Sequence, residues 1–444
     1  MAGDTGKGTD ETAAPPARRV GGGTMGVLAF SATAGVLVEF YDFFLYGYAA
    51  ATTFPKVFFP GLSPTLALVF SYLTFGAGFP ARVLGSFIFG HFGDRISRKY
   101  SFLLNILITG LATVATGLLP GYASIGLAAP ILLVLLRIIQ GIGLGGEFGG
   151  ASSLLAEFGA TRRFRAFWVS LSNLGIPLGA MTGSGVLLIF SGSFTGTGWR
   201  IAMLLSLVIV IPALLARYKL ADSPLFTQVK RRDQLARMPT FAVFRTHWRP
   251  IVLLALVAAF QQMDGYVGGT YILSFMGSAG IPLASTAAII LLARVGDTLG
   301  ILVSGPLSDL LKRKSVAYAA VVLTTLVSYP LVLAILDKNT VLTTVLLFLT
   351  MLLGVGLLHG LAPVLTSEAF PTRFRYSGAG ISYNLSAVLG GMIAPSILAG
   401  LIGDAVTRRW YFIPITYAMY AVVAIVALLF VRETRDVSLD DLDR

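Results

Sequence analysis

Apolar runs of about 20 residues, the length that crosses a bilayer, follow one another along the chain, parted by short charged or Pro/Gly joints. Twelve can be drawn: 25–50, 63–89, 101–119, 127–156, 166–190, 200–218, 250–277, 283–305, 315–336, 340–366, 377–402 and 410–431. A helix satisfies all its backbone hydrogen bonds within itself, which lipid demands. The pattern therefore predicts an all-α integral membrane protein with twelve transmembrane helices. The longest polar joint, about Arg217 to Arg249, contains Lys230-Arg231-Arg232 and Pro239 and falls after the sixth run. The expected organisation is an N-tail at 1–24, a six-helix bundle over 25–218, a linker at 219–249, a second bundle over 250–431 and a C-tail at 432–444. The N-tail is polar and has no apolar core, so it reads as a disordered cytoplasmic segment rather than a signal peptide.

The two halves repeat one another. Gly90-His-Phe-Gly-Asp-Arg-Ile-Ser-Arg-Lys99 recurs loosely as Gly305-Pro-Leu-Ser-Asp-Leu-Leu-Lys-Arg-Lys314, at an offset of 215. Glu157, Thr161, Arg162 and Asn173 match Glu368, Thr372, Arg373 and Asn384 at 211, and Asp42 and Gly47 match Asp264 and Gly269 at 222. Duplication in a membrane chain implies two six-helix bundles related by a pseudo-two-fold axis along the membrane normal. Carriers build one central site with two alternately open faces in this way, so transport is the leading reading.

Composition agrees: the chain of 444 residues is 55% hydrophobic and only 12% charged. Its net charge of +12 changes meaning once placed. Of 33 Lys and Arg, 25 fall in the tails and alternate loops on one side, five on the other and three within the spans. That is the positive-inside pattern, which puts both termini in the cytoplasm and removes nucleic acid as an expected partner. Cysteine is absent, and His91, His247 and His359 are scattered, so disulfides, thiolate metal sites and a histidine metal site are not expected. No Gly-x-x-x-x-Gly-Lys-Ser/Thr occurs, which excludes a Walker-type ATP pump. The expected protein is not an enzyme; it needs no cofactor beyond a proton gradient and works as a monomer in lipid on a small solute.

The chain resembles the major facilitator superfamily. The loop motif at 90–99 matches that superfamily's motif between spans 2 and 3, with Ser97 where glycine is usual, and Arg137-Ile-Ile-Gln-Gly141 looks like its fourth-span motif. A narrower resemblance is to its metabolite:proton symporters. It rests on Glu39-Phe-Tyr-Asp-Phe-Phe-Leu-Tyr-Gly47, Gly145-Gly-Glu147-Phe-Gly-Gly150, Gly198-Trp-Arg200, Asp222-Ser-Pro-Leu-Phe226 and Phe370-Pro-Thr-Arg373. Phe40 stands where tryptophan is usual, Asp222 where glutamate is, and the second loop copy has Leu310 in place of arginine. The resemblance implies the major facilitator fold and proton-driven uptake of sugar acids, organic acids or osmolytes.

A charged side chain at the bilayer centre costs roughly 2.5–3.5 kcal/mol on insertion scales, so each that persists needs a partner or a cavity. Glu39 and Asp42 lie three apart on one face of the first run. Two carboxyls near an arginine make a proton switch, because an approaching cation drives the proton off. Arg137 offers the cation and a rigid fork for a carboxylate, and the resemblance associates it with proton coupling or solute binding. Glu39, Asp42 and Arg137 are thus the candidate proton-coupling set. Candidate solute contacts are Tyr46, Arg82, Arg137, Gln140, Asn173, Gln261, Asp264, Tyr266, Tyr271 and Asn384. Asn173 and Asn384 read equally as amides that tie helices together. Arg294 and Asp297, three apart, read as satisfying each other, and His359 as a hydrogen-bonded buried histidine. Asp94, Arg98, Glu147, Asp309 and Arg313 are the candidate gate. Buried guanidinium groups favour an organic acid as solute; an aromatic cage of Phe43, Tyr46, Trp168, Tyr266 and Tyr271 would instead suit a zwitterionic osmolyte such as betaine or proline.

Overall fold

The computed structural model describes residues 22–95, 98–145, 148, 152, 155, 164–211, 239–403 and 405–435. Among these, nine helical stretches are long and apolar enough to cross a membrane: Pro64–Phe89, Arg165–Ile189, Phe194–Ile211, Trp248–Ser278, Leu283–Leu310, Arg313–Leu336, Thr340–Glu368, Ser377–Ile402 and Val406–Phe430. Helix Gly22–Thr52 precedes them, and Arg98–Leu118 and Ala128–Leu144 complete the twelve. In chain order they are spans 1 to 12. The sixth starts six residues earlier than the apolar pattern predicts. Its opening Phe194–Gly198 is a wide π-type turn, and its glycines and threonines hide a helix from a hydropathy reading. Span 2 opens on Pro64 behind Ser63, whose hydroxyl accepts from the Leu66 N–H at 3.4 Å; proline at a helix start and a capping hydroxyl spare amides that have no helical partner.

The outer surface is apolar, and charged side chains are buried within the apolar interior. Large side chains such as Ile189, Val208, Leu326, Val341 and Phe430 are exposed, whereas Glu39, Asp42, Arg82, Arg137, Asp264, Arg294 and Asp297 are buried. An apolar outer face this extensive is a lipid-facing surface.

Where spans cross, glycine lets their backbones touch. A Cβ on Gly85 would sit 2.1 Å from the Ile142 carbonyl oxygen, and one on Gly145 would sit 2.2 Å from that of Arg82. The second half repeats the crossing between spans 8 and 10: Gly300 meets the Leu352 carbonyl at 2.5 Å and Gly356 that of Asp297 at 2.6 Å. These glycines are related by the same offsets, 215 and 211, that relate the sequence motifs. The duplication is therefore a structural fact as well as a sequence pattern.

The halves meet at both ends. On the face where spans 1 and 12 begin and end, Gly305 of span 8 packs against Phe167 of span 5, with its would-be Cβ 2.4 Å from the Phe167 Cα. On the opposite face, Tyr72 and Ser274 hydroxyls lie 2.9 Å apart and Ser274 donates to the Ala51 carbonyl at 3.0 Å. Between the two, Phe43, Phe75, Phe79 and Tyr266 interlock with ring centroids 5.0–5.8 Å apart. The state is occluded. A cavity of about 20 Å³ remains in the seam, beside Glu39, Phe40, Arg82, Asn173 and Tyr383. A vestibule of about 500 Å³ lies on the face opposite the termini, with Lys56, Thr195, Ser274 and Thr286 in its wall.

Candidate functional site

In the first half, span 1 carries Asp42 into the bundle, where its Oδ2 accepts from the Thr113 hydroxyl of span 3 at 3.0 Å and its Oδ1 has no hydrogen-bond partner among the described residues. The Gln140 amide donates to the same hydroxyl at 2.8 Å, and Arg137 Nη1 donates to the Gln140 oxygen. Arg137 and Gln140 are three apart, so one face of span 4 presents both. Carboxyl and guanidinium are thus linked through a threonine and a glutamine rather than paired. Arg137 Nε donates to the Phe75 carbonyl at 3.1 Å, and its Cζ lies 4.1 Å from the Phe43 ring centre, 4.4 Å from Tyr46 and 4.8 Å from Phe75. Its Nη2 has no hydrogen-bond partner among the described residues. Tyr46 donates to Thr74 at 3.2 Å. Arg82 lies 5.7 Å from the Phe40 and Phe43 ring centres, and its Nε has no hydrogen-bond partner among the described residues. Glu39, buried, lines the seam cavity with Arg82. The two arginines therefore flank Phe43 at the seam, and each keeps buried N–H capacity for an acceptor.

In the second half, Arg294 Nη1 pairs with Asp297 at 3.2 Å and Nη2 donates to the Gly265 carbonyl at 3.2 Å, while its Cζ sits 4.3 Å from the Phe44 ring centre. His359 Nδ1 meets the other Asp297 oxygen at 3.0 Å. The Arg294–Asp297 pair read from the sequence gains histidine as a third member. Asp264 points into its own bundle, where Tyr417 of span 12 donates to its Oδ1 at 2.7 Å. Gln261, at the position related to Glu39 by the offset of 222, has both amide atoms buried without a hydrogen-bond partner among the described residues. Tyr266 faces the seam and packs on Phe43, Phe75 and Phe79, whereas Tyr271 donates to the Leu398 carbonyl at 3.1 Å.

Asn173 and Asn384 cross the seam in opposite senses. Asn173 of span 5 donates to the His359 carbonyl at 2.8 Å, and Asn384 of span 11 donates to the Gly145 carbonyl at 3.4 Å. Phe148 and Tyr383 stack beside the second tie, with centroids 3.7 Å apart.

On the face that carries the termini, Glu368 joins the halves. It takes Arg165 Nη2 at 2.6 Å and Nε at 2.9 Å from span 5, Arg313 Nη2 at 3.3 Å from span 9, and the Thr434 hydroxyl at 2.5 Å. Arg313 also pairs with Asp309 at 3.1 Å, and Asp309 accepts from the Ala166 amide at 3.4 Å. Asp309 and Arg313 thus lie at the contact between the halves on this face. Glu147 and the side chains of Asp94 and Arg98 lie outside the described residues. Glu368 and Arg165 carry the bridge and were not singled out by the sequence; the repeat alignment of Glu157 with Glu368 was the available signal.

Because the chain has no cysteine, this bridge can be tested with one introduced thiol. Ser170, buried against Gly305, is the reporter position. In a Ser170→Cys background, Glu368→Gln is expected to raise maleimide labelling about tenfold, the effect of ~1.4 kcal/mol lost from the closed state. An unchanged labelling rate means that these ion pairs do not hold the face shut.

The family model described as "Sugar (and other) transporter" matches residues 28–247 and 240–444. An inner membrane metabolite transport protein, YhjE, of Escherichia coli strain K12 is 37% identical over 91% of this chain and 93% of its own length. The shikimate transporter of the same strain is 34% identical, covering 84% and 87%, and the ectoine/proline transporter ProP of Corynebacterium glutamicum is 32% identical, covering 90% and 82%. The chain is a major facilitator transporter of the metabolite:proton symporter family. A partially occluded, inward-open structure of the xylose transporter XylE from E. coli superposes on this transporter with a TM-score of 0.71 at 17% identity, over 93% of this chain and 98% of that one. The transporter is a multi-pass membrane protein and not an enzyme.

Proposed function

We propose that the transporter carries a small organic acid (a mono-, di- or tricarboxylate or a shikimate-like acid) into the cell together with protons, by alternating access, as a monomer with both termini in the cytoplasm. The observation that carries this reading is the pair of seam arginines, Arg82 and Arg137, each with buried N–H capacity left over, beside an Asp42 that is wired to Arg137 only through Thr113 and Gln140. A guanidinium fork prefers a carboxylate. While the solute's carboxylate occupies Arg137, Asp42 sees less positive charge and keeps its proton. When the solute leaves, the freed guanidinium favours ionised Asp42 and the proton departs. Acid and proton therefore bind together and leave together, which is the requirement for symport. The rocking of the halves alternates exposure, with the Glu368 bridge closing one face and the Tyr72–Ser274 contact the other.

The shikimate relative supports an acid; the ectoine/proline relative keeps the zwitterionic osmolyte as the second reading. Against a quaternary-ammonium cage, Phe43, Tyr46 and Phe75 are taken up by the Arg137 guanidinium. The test is uptake into proteoliposomes under an inward proton gradient, with labelled shikimate, di- and tricarboxylates, proline and betaine. Accumulation of an acid that an uncoupler abolishes is expected. Accumulation of betaine or proline alone overturns the acid reading and leaves the arginines structural.

A further inference from the structure

We infer that Asp264 is a second proton-binding site, built in the second half where the first half carries Asp42. The inference rests on the proton-coupled reading and extends it to a group outside the seam. Asp264 is related to Asp42 by the offset of 222, and Thr324 of span 9 is related to Thr113 of span 3 by the offset of 211 that links the other repeat anchors. In each half one carboxylate oxygen accepts a hydroxyl hydrogen bond: Asp42 from Thr113 at 3.0 Å, Asp264 from Tyr417 at 2.7 Å. In each half the second oxygen is buried and makes no hydrogen bond that meets ordinary distance and angle limits among the described residues. For Asp264 that oxygen, Oδ2, faces Thr324 Oγ1, also buried and without such a bond. The two oxygens share one small gap over Gly354, where a Cβ would lie 2.3 Å from Oδ2 and 2.4 Å from Oγ1.

Among the described residues no positive charge pairs directly with Asp264 in this state. From span 12 the facing group is Tyr417, from span 9 Thr324, from span 8 Arg294 and Asp297, and from span 10 the Val355 backbone. Arg294 is engaged with Asp297 and with the Gly265 carbonyl, and Asp297 with Arg294 and His359. No basic group pairs with Asp264 within 4.0 Å among the described residues. A fully buried carboxylate with no cation paired to it is too costly to keep ionised, so in the occluded state the site holds a proton on Oδ2, in the gap it shares with Thr324. Asp264 is next in sequence to Gly265, on whose carbonyl Arg294 rests, and the wide π-type turn at Met351–Gly356 of span 10 carries Gly354. Movement at that turn opens the gap over Asp264. Arg294 is then the cation that replaces the departing proton, leaving Asp297 to His359.

The test is infrared spectroscopy of the whole protein in lipid, read at the protonated-carboxyl C=O stretch while buffer is exchanged from acid to alkaline. Asp264→Asn keeps the shape of the neutral acid and an oxygen for Tyr417, so it is expected to fold. It should delete one pH-sensitive band that Asp42→Asn leaves in place, and Thr324→Val should shift the frequency of that same band. If Asp42→Asn removes a pH-sensitive band and Asp264→Asn removes none, the second site is overturned and the proton-coupled reading stands. If the Asp264 band is present but indifferent to pH, the group is a fixed acid and the second site is likewise overturned. If neither variant removes a pH-sensitive band, both readings fall.

Discussion

Asp42→Asn is expected to abolish proton-driven accumulation while leaving solute exchange intact. Wild-type protein coupled to one proton concentrates a solute about tenfold for each pH unit of gradient, because one unit is worth ~1.36 kcal/mol. The variant should bring the internal concentration only to the external one. Its fold should survive, since the asparagine oxygen accepts from Thr113 as the carboxylate does at 3.0 Å. Asparagine mimics the protonated acid permanently, so counterflow of labelled against unlabelled solute continues. Concentrative uptake by the variant at the wild-type level removes Asp42 from the coupling role.

Arg137→Lys is expected to be as damaging despite keeping the charge. The guanidinium reaches the Phe75 carbonyl through Nε and Gln140 through Nη1 while its Cζ lies 4.1–4.8 Å from the ring centres of Phe43, Tyr46 and Phe75. An ammonium is a point donor without that planar fork. It leaves at least one buried acceptor unmet, at ~1–3 kcal/mol, and cannot bind a carboxylate bidentately. Initial uptake per amount of folded protein should fall more than about a hundredfold, the effect of roughly 3 kcal/mol. Gel filtration of the purified variant separates this loss from misfolding. A variant that folds and transports within a few-fold of wild type shows that only charge is needed at this position.

Lipid made most of the fold legible, because it fixes how long an apolar helix must be and forces polar groups inward. The repeat offsets carried through to atoms: the glycine contacts of spans 2 and 4 recur at spans 8 and 10. Arg137 and Gln140 were readable as neighbours from their spacing of three. Their shared link to Asp42 was not, because Thr113 comes from another span and threonines are common in this chain. Tyr417 beside Asp264, and His359 on Asp297, were hidden for the same reason: which face a helix turns inward is decided by packing between distant segments. The seam amides show the opposite case. The sequence left Asn173 and Asn384 open between solute contact and helix ties, and each is found tying its half to a carbonyl of the other. Glu368 was visible as a repeat anchor, yet its role depends on Arg165 and Arg313 arriving from spans 5 and 9.

The most direct measurement of the central claim is proton movement driven by solute alone. Proteoliposomes with a trapped pH-sensitive dye, and no initial pH gradient, receive an inward gradient of the acid identified by the uptake screen. The lumen is expected to acidify as the acid enters through wild-type protein, and Asp42→Asn to carry the acid in exchange without the pH change. Downhill entry of the acid through wild-type protein with the lumen pH unchanged would contradict proton coupling.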